Sequence, residues 1–253
     1  MANKDKAAMS SVFLTAEWQR LLMLNFPIEP EALQKHVPKG TELDAWEGTA
    51  YVSLVAFLFL DTRLKGMTIP FHRNFEEINL RFYVRSRGPE GWRRGVVFVK
   101  EVVPKQAIAL LARTLYNENY IACPTRSTVV DPSKDTAGTV EYGWRPDEKW
   151  LSIGAEFSGE PSLPKKNSLE EFITEHYWGY STQRDGGTVE YQVEHPQWKV
   201  WEASETTMSG NLAGFYGPEF ASALQSPPNS AFVADGSPVT VCKGNRMEDR
   251  ADP

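Results

Sequence analysis

Phe75-Glu-Glu-Ile-Asn-Leu-Arg-Phe-Tyr-Val-Arg85 alternates without interruption. Ile78, Leu80, Phe82 and Val84 point one way, and Glu77, Asn79, Arg81 and Tyr83 point the other. A period of two is the mark of a β-strand. The polar face has two readings. It is either the wet side of a half-buried strand, or the inward side of a closed barrel. In the second case an acid, an amide, a guanidinium and a phenol form a pocket floor, with Arg81 free to take a carboxylate or neutralised by Glu77.

Outward from this strand the chain reads as more strands. Ser86-Arg-Gly-Pro-Glu-Gly91 turns it into a strand over residues 94–103, and residues 42–46 and 49–60 precede it. Residues 126–131, 139–145, 150–158, 198–206 and 231–241 have the same character, the last interrupted at Asp235-Gly236. Asp185-Gly-Gly187 predicts a hairpin between residues 180–184 and 188–194. Helices are few. Residues 29–33 carry proline in their first turn, and Pro104 can open a helix marked by Ile108, Leu111, Ala112 and Leu115. Ser168-Leu-Glu-Glu171 is a capping box for a helix running towards His176. Gly210, Gly214 and Gly217 read as a loop. The expected class is α+β, mainly β: an antiparallel sheet or barrel with short peripheral helices. No linker or repeat divides the chain, so one domain over residues 11–245 is expected, with tails at 1–10 and 246–253.

The composition narrows the function. With 253 residues the chain can bury a sizeable core. A net charge of −6 leaves no basic stripe for nucleic acid; Arg93-Arg94 and Lys165-Lys166 read as solvated turns. The most apolar stretch, residues 50–60, is too short to cross a membrane as a helix. The polar N-terminus has no apolar signal core, and Cys123 and Cys242 are too few for a disulfide framework, although one bridge between them is open. A soluble, cytoplasmic protein is expected, with a small-molecule ligand as its partner.

Standard signatures are absent: no Gly-x-Gly-x-x-Gly, P-loop, His-Glu-x-x-His or Gly-x-Ser-x-Gly. No cofactor is expected. Of the four histidines, His36 reads as a surface residue, while His72, His176 and His195 lie in aromatic or proline-rich contexts and are candidates for substrate binding. No two share a ligand spacing within one element, so no metal site is expected. Lys105 follows Pro104 at the end of an apolar strand. It is either a solvated lysine of a first turn, or an amine kept partly neutral by desolvation and a helix N-terminus, and so able to form an imine with a ketone.

Several blocks carry a family resemblance: Leu21-Leu-Met-Leu-Asn-Phe26, Val37-Pro-Lys-Gly-Thr-Glu-Leu43, Ala50-Tyr-Val-Ser-Leu54, the run from Ile69 to Val84, Thr174-Glu-His-Tyr-Trp-Gly-Tyr180 and Val193-Glu-His-Pro-Gln-Trp198. Across residues 15–244 the chain resembles the bacterial DUF2071 (YqjF-like) family, grouped with the acetoacetate decarboxylase-like superfamily. The resemblance implies an antiparallel β-cone or barrel around a central cavity, often in a homo-oligomer. It also implies that Lys105 stands at the imine-forming position of a Pro-Lys-Lys motif. Gln106 replaces the second lysine, whose charge would otherwise lower the pKa of the first. Glu77 matches the superfamily's pocket glutamate. The expected function is a Schiff-base lyase of the decarboxylase, aldolase or hydratase type on a small keto acid. Lys105 and Glu77 would be catalytic, and Arg81, Asn79, Tyr83, His72, His176 and His195 would bind substrate. The alternative is a barrel that binds a small molecule without turning it over.

Overall fold

The computed structural model describes residues 11–68, 70, 72–104 and 117–248. Fifteen strands run through these residues: β1 Val12–Ile28, β2 Glu42–Leu43, β3 Ala50–Leu64, β4 Met67–Thr68, β5 Phe75–Gly88, β6 Gly91–Val103, β7 Tyr120–Ala122, β8 Thr125–Val130, β9 Gly138–Trp144, β10 Leu151–Phe157, β11 Trp178–Thr182, β12 Thr188–Glu194, β13 Val200–Ser209, β14 Ser230–Cys242 and β15 Asn245–Arg246. Four short α-helices accompany them: α1 Pro30–Leu33, α2 Leu169–Thr174, α3 Leu212–Tyr216 and α4 Ala221–Leu224. The mainly β class expected from the sequence is therefore the class found.

Seven strands close into a ring in the order β12-β11-β6-β5-β3-β1-β14, with β14 returning to β12 through Val193 opposite Val241 and Glu194 opposite Thr240. Neighbours in the ring are antiparallel except at β6 and β11, which run parallel through Trp178–Gly95 and Gly179–Val96. A second sheet, β13-β10-β9-β8, continues from β14 and folds over the outside of the ring. Two apolar layers result. Leu22, Leu54, Leu80 and Phe82 of the ring pack outward against Tyr142, Trp144, Ile153 and Phe157. Leu21, Val55, Phe57 and Phe75 pack inward with Ile173 of α2 and Trp198. This explains why residues 50–60 are apolar but for Ser53: alternate side chains of β3 enter two different cores, and Ser53 is buried with its hydroxyl bonded to Asn25 and Tyr83.

The parallel seam needs glycine. A Cβ at Gly95 would lie 2.5 Å from the Trp178 carbonyl oxygen, inside any permitted contact with a backbone that cannot move alone. Gly95→Ala is expected to lower stability by about 2 kcal/mol, read from urea unfolding, because the added methyl forces β6 and β11 apart.

Two local expectations are corrected. Gly214 is part of helix α3, not a loop; Asn211 caps it by accepting from the Gly214 N–H at 2.9 Å. Arg93 and Arg94 are not a solvated turn. They lie in β6, where Arg93 pairs with Glu90 and Glu190, and Arg94 with Asp44. Cys123 and Cys242 are both buried and free. The expected helix after Pro104, with Ile108, Leu111, Ala112 and Leu115, falls outside the described residues. The Ser168 cap is present, its Oγ accepting from the Glu171 N–H at 3.2 Å, but the Glu171 carboxylate turns to the Asn167 N–H at 2.6 Å. Among the described residues no helix is long and apolar enough to cross a membrane.

Candidate functional site

The ring encloses a cavity of about 140 Å³, with walls that are mainly aromatic. Trp18 comes from β1, Phe57 and Phe59 from β3, Phe98 from β6, and Trp178 and Tyr191 from β11 and β12. Glu77, Asn79 and Arg81 of β5 line the same space. All three are buried, which settles the two readings of the polar strand face: it looks inward.

A bulge decides which residues of β6 join them. Phe98 stands opposite Arg81, but Lys100 stands opposite Leu80, so Val99 is an extra residue in the ladder. Regular alternation from Phe98 would turn Lys100 inward. The bulge instead turns Lys100 to the outer core, where its ammonium donates to the Phe215 carbonyl and lies over the Phe215 ring. Glu101 takes the cavity side. Glu118 and Tyr120 of the following segment complete a cluster of carboxyls and phenols. Tyr120 Oη donates to Glu77 Oε2 at 3.3 Å, and Tyr191 Oη to Glu118 Oε1 at 2.5 Å. Asn79 Nδ2 donates to Glu77 Oε1 at 3.1 Å.

Burial dominates the ionisation of this cluster. It pushes Glu77 up to about 7, against the opposing pull of Asn79, Tyr120 and the Arg81 charge. Glu101 is held well above the ordinary carboxylate range by burial and then by the neighbouring Glu118 and Glu77. Glu118, half-buried as a residue, is raised to about 8 by desolvation of its carboxyl, with the Tyr191 bond opposing. The cluster is therefore mostly protonated near neutrality. Arg81 gains little from it: its Nη2 reaches only Met23 Sδ at 3.7 Å, and its Nε has no protein partner.

The two histidines at the cavity differ. His176 is buried, and its Nε2 meets Asp44 Oδ2 at 3.3 Å. Burial lowers it to about 4, outweighing the Asp44 bond. His195 is half-buried, stacks on Trp198 with ring centres 4.0 Å apart, and is also lowered by burial.

Unpartnered buried polar atoms collect here. Among the described residues nine buried side-chain nitrogen or oxygen atoms lack a protein partner. Five belong to residues lining this one cavity: Trp18 Nε1, Asn79 Oδ1, Arg81 Nε, Glu101 Oε2 and His176 Nδ1. Each such atom costs roughly 1–3 kcal/mol unless something pairs with it.

Of the residues singled out from sequence, Glu77, Asn79, Arg81, His176 and His195 meet at the cavity. Tyr83 does not line it. It faces the same side as Arg81 but lies under His176, with ring centres 4.6 Å apart, its hydroxyl 2.6 Å from Ser53 Oγ. His72 is also elsewhere, its Nδ1 2.8 Å from the Pro70 carbonyl oxygen near the strand end. Lys105 lies outside the described residues, and among those described no lysine lines the cavity. Sequence reasoning passed over Glu101, Glu118, Tyr120 and Trp18. The one signal available was Glu101 itself, a charged residue set among valines.

A closed ring of mostly antiparallel strands around a polar-floored cavity is the acetoacetate decarboxylase-like architecture. The enduracididine biosynthesis enzyme MppR, complexed with pyruvate, superposes with a TM-score of 0.68 at 13% identity, covering 98% of this chain and 95% of that one. The acetoacetate decarboxylase of Legionella pneumophila subsp. pneumophila str. Philadelphia 1 superposes with a TM-score of 0.65 at 11% identity, covering 98% and 92%. At these identities the likeness is one of fold. The chain belongs to the DUF2071 family, described as an uncharacterized conserved protein, whose model matches residues 15–238. Uncharacterized protein YqjF of Bacillus subtilis (strain 168) is a relative at 27% identity over 190 residues, 74% of each chain.

Proposed function

We propose that the cavity is the active site of a Schiff-base lyase of the aldolase type acting on a small 2-keto acid. The five unpartnered polar atoms on an aromatic wall carry this reading, Arg81 above all. A buried guanidinium without a hydrogen-bonded carboxylate is a ready partner for a ligand carboxylate. That role also selects among lyases. A guanidinium that holds a carboxylate favours keeping it, so the bond broken or made lies elsewhere in the substrate, and simple decarboxylation is disfavoured.

In this reading the Lys105 amine attacks the keto carbon, water leaves, and an iminium forms. A carboxylate removes a proton from the adjacent carbon, and the C–H electrons move into the iminium to give an enamine. The enamine carbon then attacks an aldehyde, forming a carbon–carbon bond, and water regenerates the amine. Glu77, with a pKa of about 7, is suited to take and return that proton near neutral pH. MppR, structurally similar, is described in complex with pyruvate and with the condensation product of pyruvate and imidazole 4-carboxaldehyde, which supports choosing pyruvate as the first probe. A cytoplasmic location and a homo-oligomeric state belong to the same proposal.

Pyruvate in deuterated water tests it. The protein is expected to exchange the methyl protons, seen as loss of the methyl proton signal, and Lys105→Ala is expected to stop the exchange. Absence of exchange by the unaltered protein, with pyruvate still binding, would favour a second reading. Gln106 motivates that reading: without the lysine that would lower the pKa of Lys105, the cavity serves binding alone.

A further inference from the structure

The Asp44–His176 contact fixes more than the position of a ring. Asp44 is buried, and its Oδ2 accepts from Arg94 Nε at 2.6 Å as well as facing His176 Nε2 at 3.3 Å. A carboxylate held by a guanidinium has no proton to give, so the proton in the second contact belongs to His176 Nε2. Nδ1 is then left with its lone pair. The ring cannot turn to exchange the two nitrogens cheaply, because it packs between Tyr83 and Phe172, with ring centres at 4.6 and 5.1 Å. Nδ1 is buried, has no protein partner, and belongs to a residue lining the cavity.

We propose that His176 Nδ1 is the hydrogen-bond acceptor for an O–H or N–H group of the ligand, and that Asp44 and Arg94 are the positioning residues that hold it in that role. The full substrate is accordingly a carboxylate that also carries a donor group, a narrower class than keto acids at large; pyruvate supplies the carboxylate and keto group of that class without the donor, and so engages Arg81 but not His176 Nδ1. This rests on the proposed function in one respect, the placing of the ligand carboxylate on Arg81. Two of the other four orphans fit the same ligand: Arg81 Nε and Trp18 Nε1 are donors suited to a carboxylate, whereas His176 Nδ1 is an acceptor that a carboxylate cannot use. Burial keeps the imidazole neutral across the physiological range, so the acceptor is not lost to protonation.

The test compares each enantiomer of 3-phenyllactate with 3-phenylpropionate, which differ by one hydroxyl, by calorimetry. One enantiomer is expected to bind about tenfold more tightly than the deoxy acid, the worth of one hydrogen bond to an otherwise unpaired buried acceptor. His176→Phe is expected to erase the preference. His176→Gln, which restores an acceptor, is expected to recover part of it, and thermal melts establish that both variants fold. Nitrogen-15 spectra of histidine-labelled protein give a second readout: His176 is expected as the Nε2–H tautomer, and Asp44→Ala to lose that fixed state. Equal affinities of the unaltered protein for both acids, an Nδ1–H tautomer, or a preference surviving in His176→Phe would each overturn the assignment. The last result would shift it to another unpartnered oxygen of the cavity, Asn79 Oδ1 or Glu101 Oε2. Retained binding and preference in Arg81→Met would instead remove the Arg81 reading and leave the His176 assignment standing.

Discussion

Arg81→Met is expected to weaken pyruvate binding about 100-fold while leaving the protein folded and slightly more stable. The loss follows from removing one partner of a desolvated charge pair, which costs about 2–5 kcal/mol when the other partner enters the site. The gain in stability follows from the free protein. Arg81 is buried against Met23, with an unpaired Nε and a neighbouring Glu77 that is only about half ionised near pH 7. Replacing such a cation with an apolar side chain of similar length is neutral or stabilising. A rise in melting temperature of about 2 °C or more, alongside lost binding in calorimetry, is the expected pair of results. A guanidinium that served only to hold the ring together would lower both.

Glu77→Gln is expected to remove a defined part of the loss of stability that the protein suffers as pH rises. The folded state holds the Glu77 proton up to about pH 7, whereas the unfolded chain releases it near 4.5. Between those values the folded state binds more protons, so stability falls with rising pH and levels off above 7. A shift of this size corresponds to about 3 kcal/mol from Glu77 alone. Glu101, also buried and raised, and Glu118, raised to about 8, add slopes of the same sign. His176 works in the opposite sense. It charges near 6.5 when unfolded but only near 4 when folded, so its contribution is present above 6.5 and lost as pH falls towards 4. It offsets part of the carboxyl slope in the mildly acid range, as does His195, also lowered by burial. Urea unfolding at pH 5 and pH 8 reads the difference: near-equal stabilities at pH 5, and a Gln variant more stable by about 3 kcal/mol at pH 8. The same titration bears on function. Ionised Glu77 competes with a ligand carboxylate for Arg81, so pyruvate affinity is expected to fall above pH 7 in the unaltered protein and to hold in Glu77→Gln.

Much of this was legible in the chain. The alternation of residues 75–85 identified the strand, and the same residues supplied Glu77, Asn79 and Arg81 to the cavity. What the alternation could not decide was whether its polar face met water. That depends on ring closure, which is made by two short contacts, β6 with β11 and β12 with β14, far apart in sequence. A clue lay in β3: a strand apolar on both faces needs cover on both sides, and its neighbour β5 must share that cover. Glu101 was hidden for a different reason. Strict alternation from Phe98 puts Lys100 inside and Glu101 outside, and only the bulge at Val99 reverses them. Tyr83 was misplaced because strand parity gives the face and not the depth; α2 and His176 cover it. Asp44 carried no signal at all, since its role comes from Arg94 and His176, 50 and 132 residues away.

Borohydride trapping reports on the proposed Lys105 imine itself. The protein is incubated with pyruvate, reduced, and weighed intact, with Lys105→Ala and Arg81→Met alongside. One reduced pyruvate is expected on the unaltered protein, none on Lys105→Ala, and a much lower yield on Arg81→Met at the same pyruvate concentration. An unaltered protein with no adduct at saturating pyruvate, or an equal adduct on Lys105→Ala, would contradict the imine.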